Sequence, residues 1–197
     1  MADCWSCGAE RADAARCEGC GKLQPVSPRA THFEVLGLER RMALDARAVE
    51  AAFRERSRAV HPDRFGQASP VERRLALEHT ARLNDAHRTL RDPQRRAEYL
   101  MGLEGIAVGH EAARTTDTGL LAELLELQEA VEDARGEAAL HALAADLEAR
   151  RDRLMAAVTD HLDARRGDPA RTARDLDELR YVRRLLEAVE RKLEENG

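Results

Sequence analysis

From about Thr31 onward, apolar positions recur at three- and four-residue spacing in segments that glycine or proline closes, the pattern of amphipathic helices. His32-Phe33-Glu34-Val35-Leu36-Gly37-Leu38 predicts a short apolar helix with a glycine stop. Asp45 predicts the cap of a helix running to about Val60, ended by Pro62 because the residue before a proline is pushed out of the α region. A third helix is expected from about Pro70, carrying Leu75, His79, Leu83, Ala86 and Leu90 on one face until Asp92-Pro93 interrupts it. A further helical piece should end near Met101. Gly102 to Thr118 holds three glycines and little periodicity, which predicts a domain junction. The remainder predicts helices over about 119–134, 137–165 and 170–195, separated by Gly136 and by Arg166-Gly167-Asp168-Pro169. Such short connections favour an antiparallel three-helix bundle.

Residues 1–28 lack this periodicity and end in Pro25-Val26-Ser27-Pro28, which suits a linker. The expected organisation is a small module and linker over 1–28, a helical domain over 29–101, a linker over 102–118 and a bundle over 119–197. A length of 197 residues accommodates these parts. Aromatic residues make up only 3% of the chain, which disfavours a β-sandwich and supports an all-α fold class. The net charge of −5 argues against a general nucleic-acid or membrane coat. No apolar run approaches a membrane span, and Met-Ala-Asp-Cys starts neither a signal nor a transit peptide, so the expected location is cytoplasmic.

The four cysteines form two C-x-x-C pairs, Cys4-Trp5-Ser6-Cys7 and Cys17-Glu18-Gly19-Cys20. Two residues between thiolates let a tight turn aim both sulfurs at one ion, and two such turns complete a tetrahedral set. Gly8 and Gly21 directly after each pair suit turns that need positive φ. Structural zinc is the expected occupant, with a redox-active or disordered cysteine cluster and an iron-sulfur cluster as alternatives. A segment this short cannot bury a useful core, so metal would supply most of its folding free energy.

On the helix ending at Val60, Arg47, Arg54, Arg58 and His61 fall in one sector while Val49, Phe53 and Val60 fall in another. His61-Pro62-Asp63 then leaves the cationic face, followed by Arg64-Phe65-Gly66. An apolar opening helix, a cationic second helix, this tripeptide and a third helix leading into Leu83-Asn84-Asp85-Ala86-His87-Arg88-Thr89-Leu90-Arg91-Asp92-Pro93 resemble a J-domain over about 31–100. The resemblance implies docking on a DnaK-type chaperone ATPase and stimulation of its ATP hydrolysis, with His61, Pro62 and Asp63 essential and Arg54 and Arg58 supporting. Two positions depart from the family pattern: Arg56 stands where leucine is usual, and Val60 where an aromatic is usual.

On the 119–134 segment, Leu120, Leu124, Leu127 and Val131 predict a core stripe. Leu121 and Leu125 lie well around the helix, beside Glu126, Glu129 and Asp133. Periodicity alone leaves two readings open, a wide core stripe flanked by solvated acids or a mixed apolar and acidic surface. Arg95-Arg96-Ala97-Glu98-Tyr99-Leu100, Leu124-Leu125-Glu126-Leu127-Gln128-Glu129 and Leu179-Arg180-Tyr181-Val182-Arg183-Arg184-Leu185 resemble successive segments of the HscB-type co-chaperones of iron-sulfur cluster assembly. That resemblance implies a bundle that holds an IscU-type scaffold protein and presents it to an HscA-type ATPase. Leu121, Ala122, Leu125, Glu126, Glu129, Asp133 and Tyr181 would line the scaffold surface, with Ala122 smaller than is usual and Asp133 shorter.

No phosphate loop, G-x-S-x-G elbow or H-E-x-x-H helix is present, so the expectation is a binding protein and not an enzyme. The alternatives are a general J-domain co-chaperone with other clients, and a zinc-headed helical adaptor for nucleic acid. Charge is divided along the chain: 117–135 carries six acids against one arginine, whereas 54–64 carries four arginines against two acids.

Overall fold

Polar side chains at the segment boundaries start the first helices. Thr31 and Glu34 form a reciprocal capping box on α1 (His32–Leu36), and Asp45 accepts from the Arg47 N–H to open α2 (Ala46–Val60). Ser69 caps α3 (Pro70–Leu90), whose first helical residue is a proline. These features belong to a computed structural model that describes residues 3–10, 15–106, 108, 118–164 and 168–196. The later helices are α4 (Pro93–Leu103), α5 (Thr118–Asp133), α6 (Glu137–Ala164) and α7 (Pro169–Asn196). Among the described residues regular structure is helical, apart from two isolated β-bridges, Asp3 with Glu10 and Arg16 with Leu23. Of the expected linker, residues 107 and 109–117 lie outside the described set, as do Arg166 and Gly167 of the expected helix break.

The chain divides into two compact units, residues 1–40 with 44–93, and residues 41–43 with 94–197. In the first unit α1 and α2 both pack on α3. Phe33 and Leu36 of α1, Val49 and Val60 of α2, and Leu75, His79, Leu83, Ala86 and Leu90 of α3 are buried, so the apolar row expected on α3 is its core face. Gly37 closes α1 at φ 63°, and its missing side chain has a second use. The Arg56 guanidinium occupies the space a Gly37 Cβ would need, so Arg56 leaves the apolar row and rests over the end of α1.

In the second unit α6 and α7 pack along each other and α5 lies on α7. Val131, Leu140, Leu147, Val182, Leu185 and Val189 form its core. Arg150 ties the three helices together, reaching Glu178 on α7 and Glu123 on α5. Lys192 donates to the Val131 and Glu132 carbonyls and so closes the C-terminal end of α5, which has no intrahelical donors for them. No helix is long and apolar enough to cross a membrane.

Truncation separates core from surface on these helices. Leu147→Ala, at a position 1% exposed, should lower unfolding free energy by about 3 kcal/mol in urea titrations. Leu125→Ala, at a position 50% exposed, should change it by no more than about 0.5 kcal/mol. Equal losses at the two positions would place Leu125 in the core.

Candidate functional site

Each cysteine pair sits on the same backbone turn. The Cys4 N–H donates to the Ala9 carbonyl and the Gly8 N–H to the Cys4 carbonyl; the Cys17 N–H donates to Lys22 and the Gly21 N–H to Cys17 in the same way. Gly8 and Gly21 both have φ 71°, the left-handed conformation the sequence pattern requires of them. The two turns bring all four sulfurs within 4.8 Å of one another, with Cys4 to Cys20 and Cys7 to Cys17 at 3.7 Å. A disulfide needs about 2.05 Å, whereas the sulfurs of a tetrahedral site with metal–sulfur bonds of about 2.3 Å lie about 3.8 Å apart. The spacing fits metal ligation.

The electrostatics point the same way. Desolvation raises the Cys4 thiol, but the N–H groups of Cys7 and Ser6 together with the neighbouring thiols of Cys17 and Cys7 outweigh it and bring its pKa down to about 6. The Ala9 N–H pulls Cys7 down, yet the sulfurs of Cys20 and Cys4 together push it up to about 12. Four adjacent sulfurs cannot all ionise without a cation among them, and a metal ion needs them as thiolates. Gln24, fully buried just beyond the second turn, donates from Nε2 to Cys4 Sγ at 3.3 Å and supports that sulfur.

The His61-Pro62-Asp63 turn is built by the end of α2. His61 adopts ψ 130° before the proline and caps the helix, and Pro62 to Phe65 form one 3-10 turn. The Asp63 N–H donates to His61 Nδ1, and the Arg64 N–H to the His61 carbonyl. Phe65 is buried and anchors the turn, while the Asp63 side chain is 89% exposed. Arg47, Arg54 and Arg58 are all exposed on α2. Glu50 holds Arg54 at 2.7 Å and accepts from His87 of α3 at 2.8 Å. Those two partners, Arg54 foremost, keep the Glu50 carboxyl below its ordinary range. His87 in turn stacks on Phe53, with ring centroids 4.1 Å apart.

On α5 the expected core stripe divides as periodicity predicts. Leu124 and Val131 are buried and Leu120 and Leu127 half-buried, whereas Leu121 and Leu125 are 46% and 50% exposed. Ala122, Glu126, Glu129 and Asp133 are exposed as well and recur every three or four residues. Tyr181 is half-buried on α7 beneath the Arg184 guanidinium and donates its hydroxyl to Gln128 Oε1 at 2.7 Å. Gln128 lies one turn beyond Leu125 on α5, so this bond joins Tyr181 to the exposed leucine row.

Several positioning residues carry no sequence signal of their own. Gln24 and Gln128 hold Cys4 and Tyr181 through contacts between distant segments, and Glu50 joins Arg54 to His87 of α3. Within α2, only the Glu50-Arg54 spacing is legible beforehand as an ordinary i,i+4 pair.

Two family models match the chain. One described as the HSCB C-terminal oligomerisation domain matches residues 116–190, and one described as the DnaJ domain matches residues 31–99. The chain is 30% identical to the iron-sulfur cluster co-chaperone protein HscB of Mus musculus over 192 residues, covering 94% of this chain and 80% of the mouse protein. It is 38% identical to the co-chaperone protein HscB homolog of Bordetella pertussis over 159 residues, covering 80% of this chain and 93% of that one. Among solved structures, the human co-chaperone protein HscB superposes with a TM-score of 0.88 at 27% identity, covering 97% of this chain and 98% of the human one. HscB from Vibrio cholerae superposes with a TM-score of 0.76 at 32% identity, covering 85% and 100% respectively.

The cysteine centre makes a direct prediction. Elemental analysis should find one metal ion per chain, and a strong chelator should abolish hydrogen-exchange protection at the Cys17 and Gly21 amides while leaving far-UV helicity nearly intact. A metal-free chain with those amides still protected would contradict ligation.

Proposed function

Because this chain belongs to the HscB family of iron-sulfur cluster co-chaperones, we propose that it holds an IscU-type scaffold on the exposed face of α5 and stimulates an HscA/DnaK-type ATPase through the His61-Pro62-Asp63 turn. The observation that carries the scaffold half is the exposure of Leu121 and Leu125 among Glu126, Glu129 and Asp133. Exposed leucines cost solubility unless they meet a partner, and the acids around them select one with basic groups at its rim. Ala122 and Tyr181 complete the surface, Tyr181 being kept in place by Gln128.

For the ATPase half, the turn offers Asp63 at the end of a helix whose exposed arginines steer an acidic surface toward it. Pro62 fixes the backbone, so little order has to be created on docking. Arg54 and Arg58 flank the turn as supporting charges. The division of labour follows the chain, with residues 1–28 as the metal module, 29–101 as the ATPase-docking domain and 119–197 as the scaffold-binding bundle.

Zinc is the metal proposed for Cys4, Cys7, Cys17 and Cys20. Four thiolates close its tetrahedral shell, so it supplies folding energy and no chemistry. The protein acts by binding: stimulation of hydrolysis tightens the ATPase's grip on the scaffold, and the ATPase cycle then governs cluster transfer.

An ATPase assay with cognate chaperone and scaffold tests both halves. Full-length protein should stimulate hydrolysis, with scaffold adding synergistically, and His61→Gln should abolish stimulation while leaving scaffold affinity unchanged. Leu121→Ala with Leu125→Ala should weaken scaffold binding about tenfold or more while scaffold-free stimulation persists. If scaffold neither binds nor adds to stimulation, the cluster-assembly role fails even where the ATPase role stands.

A further inference from the structure

The last carbonyls of a helix have no donors within it, and at the end of α2 those carbonyls lie directly before His61-Pro62-Asp63. Two arginines supply donors from outside the helix. Arg64, in the turn itself, donates from Nη1 to the Arg58 carbonyl at 3.0 Å. Arg16, in the metal module, donates from Nη2 to the Ala59 carbonyl at 3.2 Å. Its guanidinium also lies over the ring of Phe65, 5.3 Å from the centroid, and Phe65 is the buried anchor of the turn.

The other end of that guanidinium is fixed by the second cysteine turn. Arg16 Nη1 donates to the Gly21 carbonyl at 3.2 Å, so one planar fork spans Gly21 and Ala59. Arg16 directly precedes Cys17, and Gly21 directly follows Cys20. The next residue, Lys22, pairs with the buried Glu72 at 2.9 Å in the first turn of α3, and its ammonium is the foremost cause that holds the Glu72 carboxyl below its ordinary range. The segment that would be shaped by a bound metal thus grips the docking turn on both sides, at Ala59 and Phe65 before and within it, and at Glu72 after it.

We infer that Arg16 is a positioning residue for the His61-Pro62-Asp63 turn, and that through it the state of the four-cysteine centre sets how firmly the turn is held for its partner. The inference deepens the ATPase-docking reading and rests on it for its consequence, although the coupling between centre and turn stands on geometry alone. When the Cys17 to Cys20 turn opens, the Gly21 carbonyl leaves, the fork loses one anchor, and the Ala59 carbonyl and Phe65 ring lose a rigid partner. A looser turn lowers the fraction of molecules ready to dock and so raises the concentration needed, without changing what a docked molecule does.

Hydrogen exchange on the full-length protein reads the coupling directly, at the Arg64 and Gly66 amides that bond to the His61 and Asp63 carbonyls. Arg16→Ala should accelerate exchange at both about fivefold, the worth of one ordinary hydrogen bond, with metal content and bundle exchange unchanged. Stripping metal from the wild type should give a similar rise, and stripping it from the Arg16→Ala protein should add less than about twofold at these amides. Arg16→Lys keeps the charge but not the fork, and should behave as Arg16→Ala. In the ATPase assay Arg16→Ala should raise the half-maximal concentration about fivefold and leave maximal stimulation unchanged. The inference is overturned if Arg16→Ala with its metal retained exchanges as the wild type does, if metal removal leaves the two amides unaffected, or if Arg16→Lys restores wild-type exchange. Accelerated exchange together with no stimulation by the wild-type protein would overturn the docking reading alone.

Discussion

The end of α2 leaves His61-Pro62-Asp63 largely exposed and yet held in one conformation, although exposure removes the packing that ordinarily makes a turn rigid. Three devices meet that constraint: the fixed φ of Pro62, the buried Phe65 beneath the turn, and external donors for the carbonyls of Arg58 and Ala59. The donors are long side chains from either side, and one of them originates in the metal module. The small cysteine-bearing segment is therefore packed where it can influence the turn. A segment whose four cysteines are placed to hold a metal ion thus becomes part of the support of a turn that carries no metal ligands.

The two proposed docking surfaces use opposite charges and different degrees of apolarity. On α2 the exposed face is cationic and presents Arg54, Arg58 and Asp63 to solvent, which suits steering and a rapid, salt-sensitive encounter. On α5 two leucines stand among acids, which suits a longer-lived contact whose affinity comes from buried apolar area. A chain whose net charge is only −5 carries both because the local balance differs, six acids against one arginine in 117–135 and four arginines against two acids in 54–64. The separation discourages either partner from taking the other's place.

Much of the architecture is legible in the sequence because its punctuation is local. Asp45, Pro70, Gly136 and Pro169 each mark a helix boundary within a residue or two, and the C-x-x-C spacing with its following glycines determines the two turns. His61-Pro62-Asp63 can be read for the same reason. What periodicity could not decide was whether Leu121 and Leu125 widen the core stripe of α5, since that depends on how much of α5 the other helices cover. The supporting residues are hidden for a related reason. Arg16 meets Ala59 across 43 positions, Tyr181 meets Gln128 across 53, and Arg56 finds its place only because Gly37 has no side chain there. Each depends on tertiary approach between segments that no local pattern connects.

The central claim is that one chain carries two independent docking surfaces, a rigid cationic turn and an acidic leucine face. Hydrogen exchange of the full-length, metal-loaded protein with chaperone ATPase alone, scaffold alone and both together tests it most directly. The account predicts that the ATPase protects residues 54–66, that the scaffold protects 121–133, and that both segments are protected when both partners are present. Scaffold-induced protection confined to 54–66, or loss of one footprint on addition of the second partner, would contradict it.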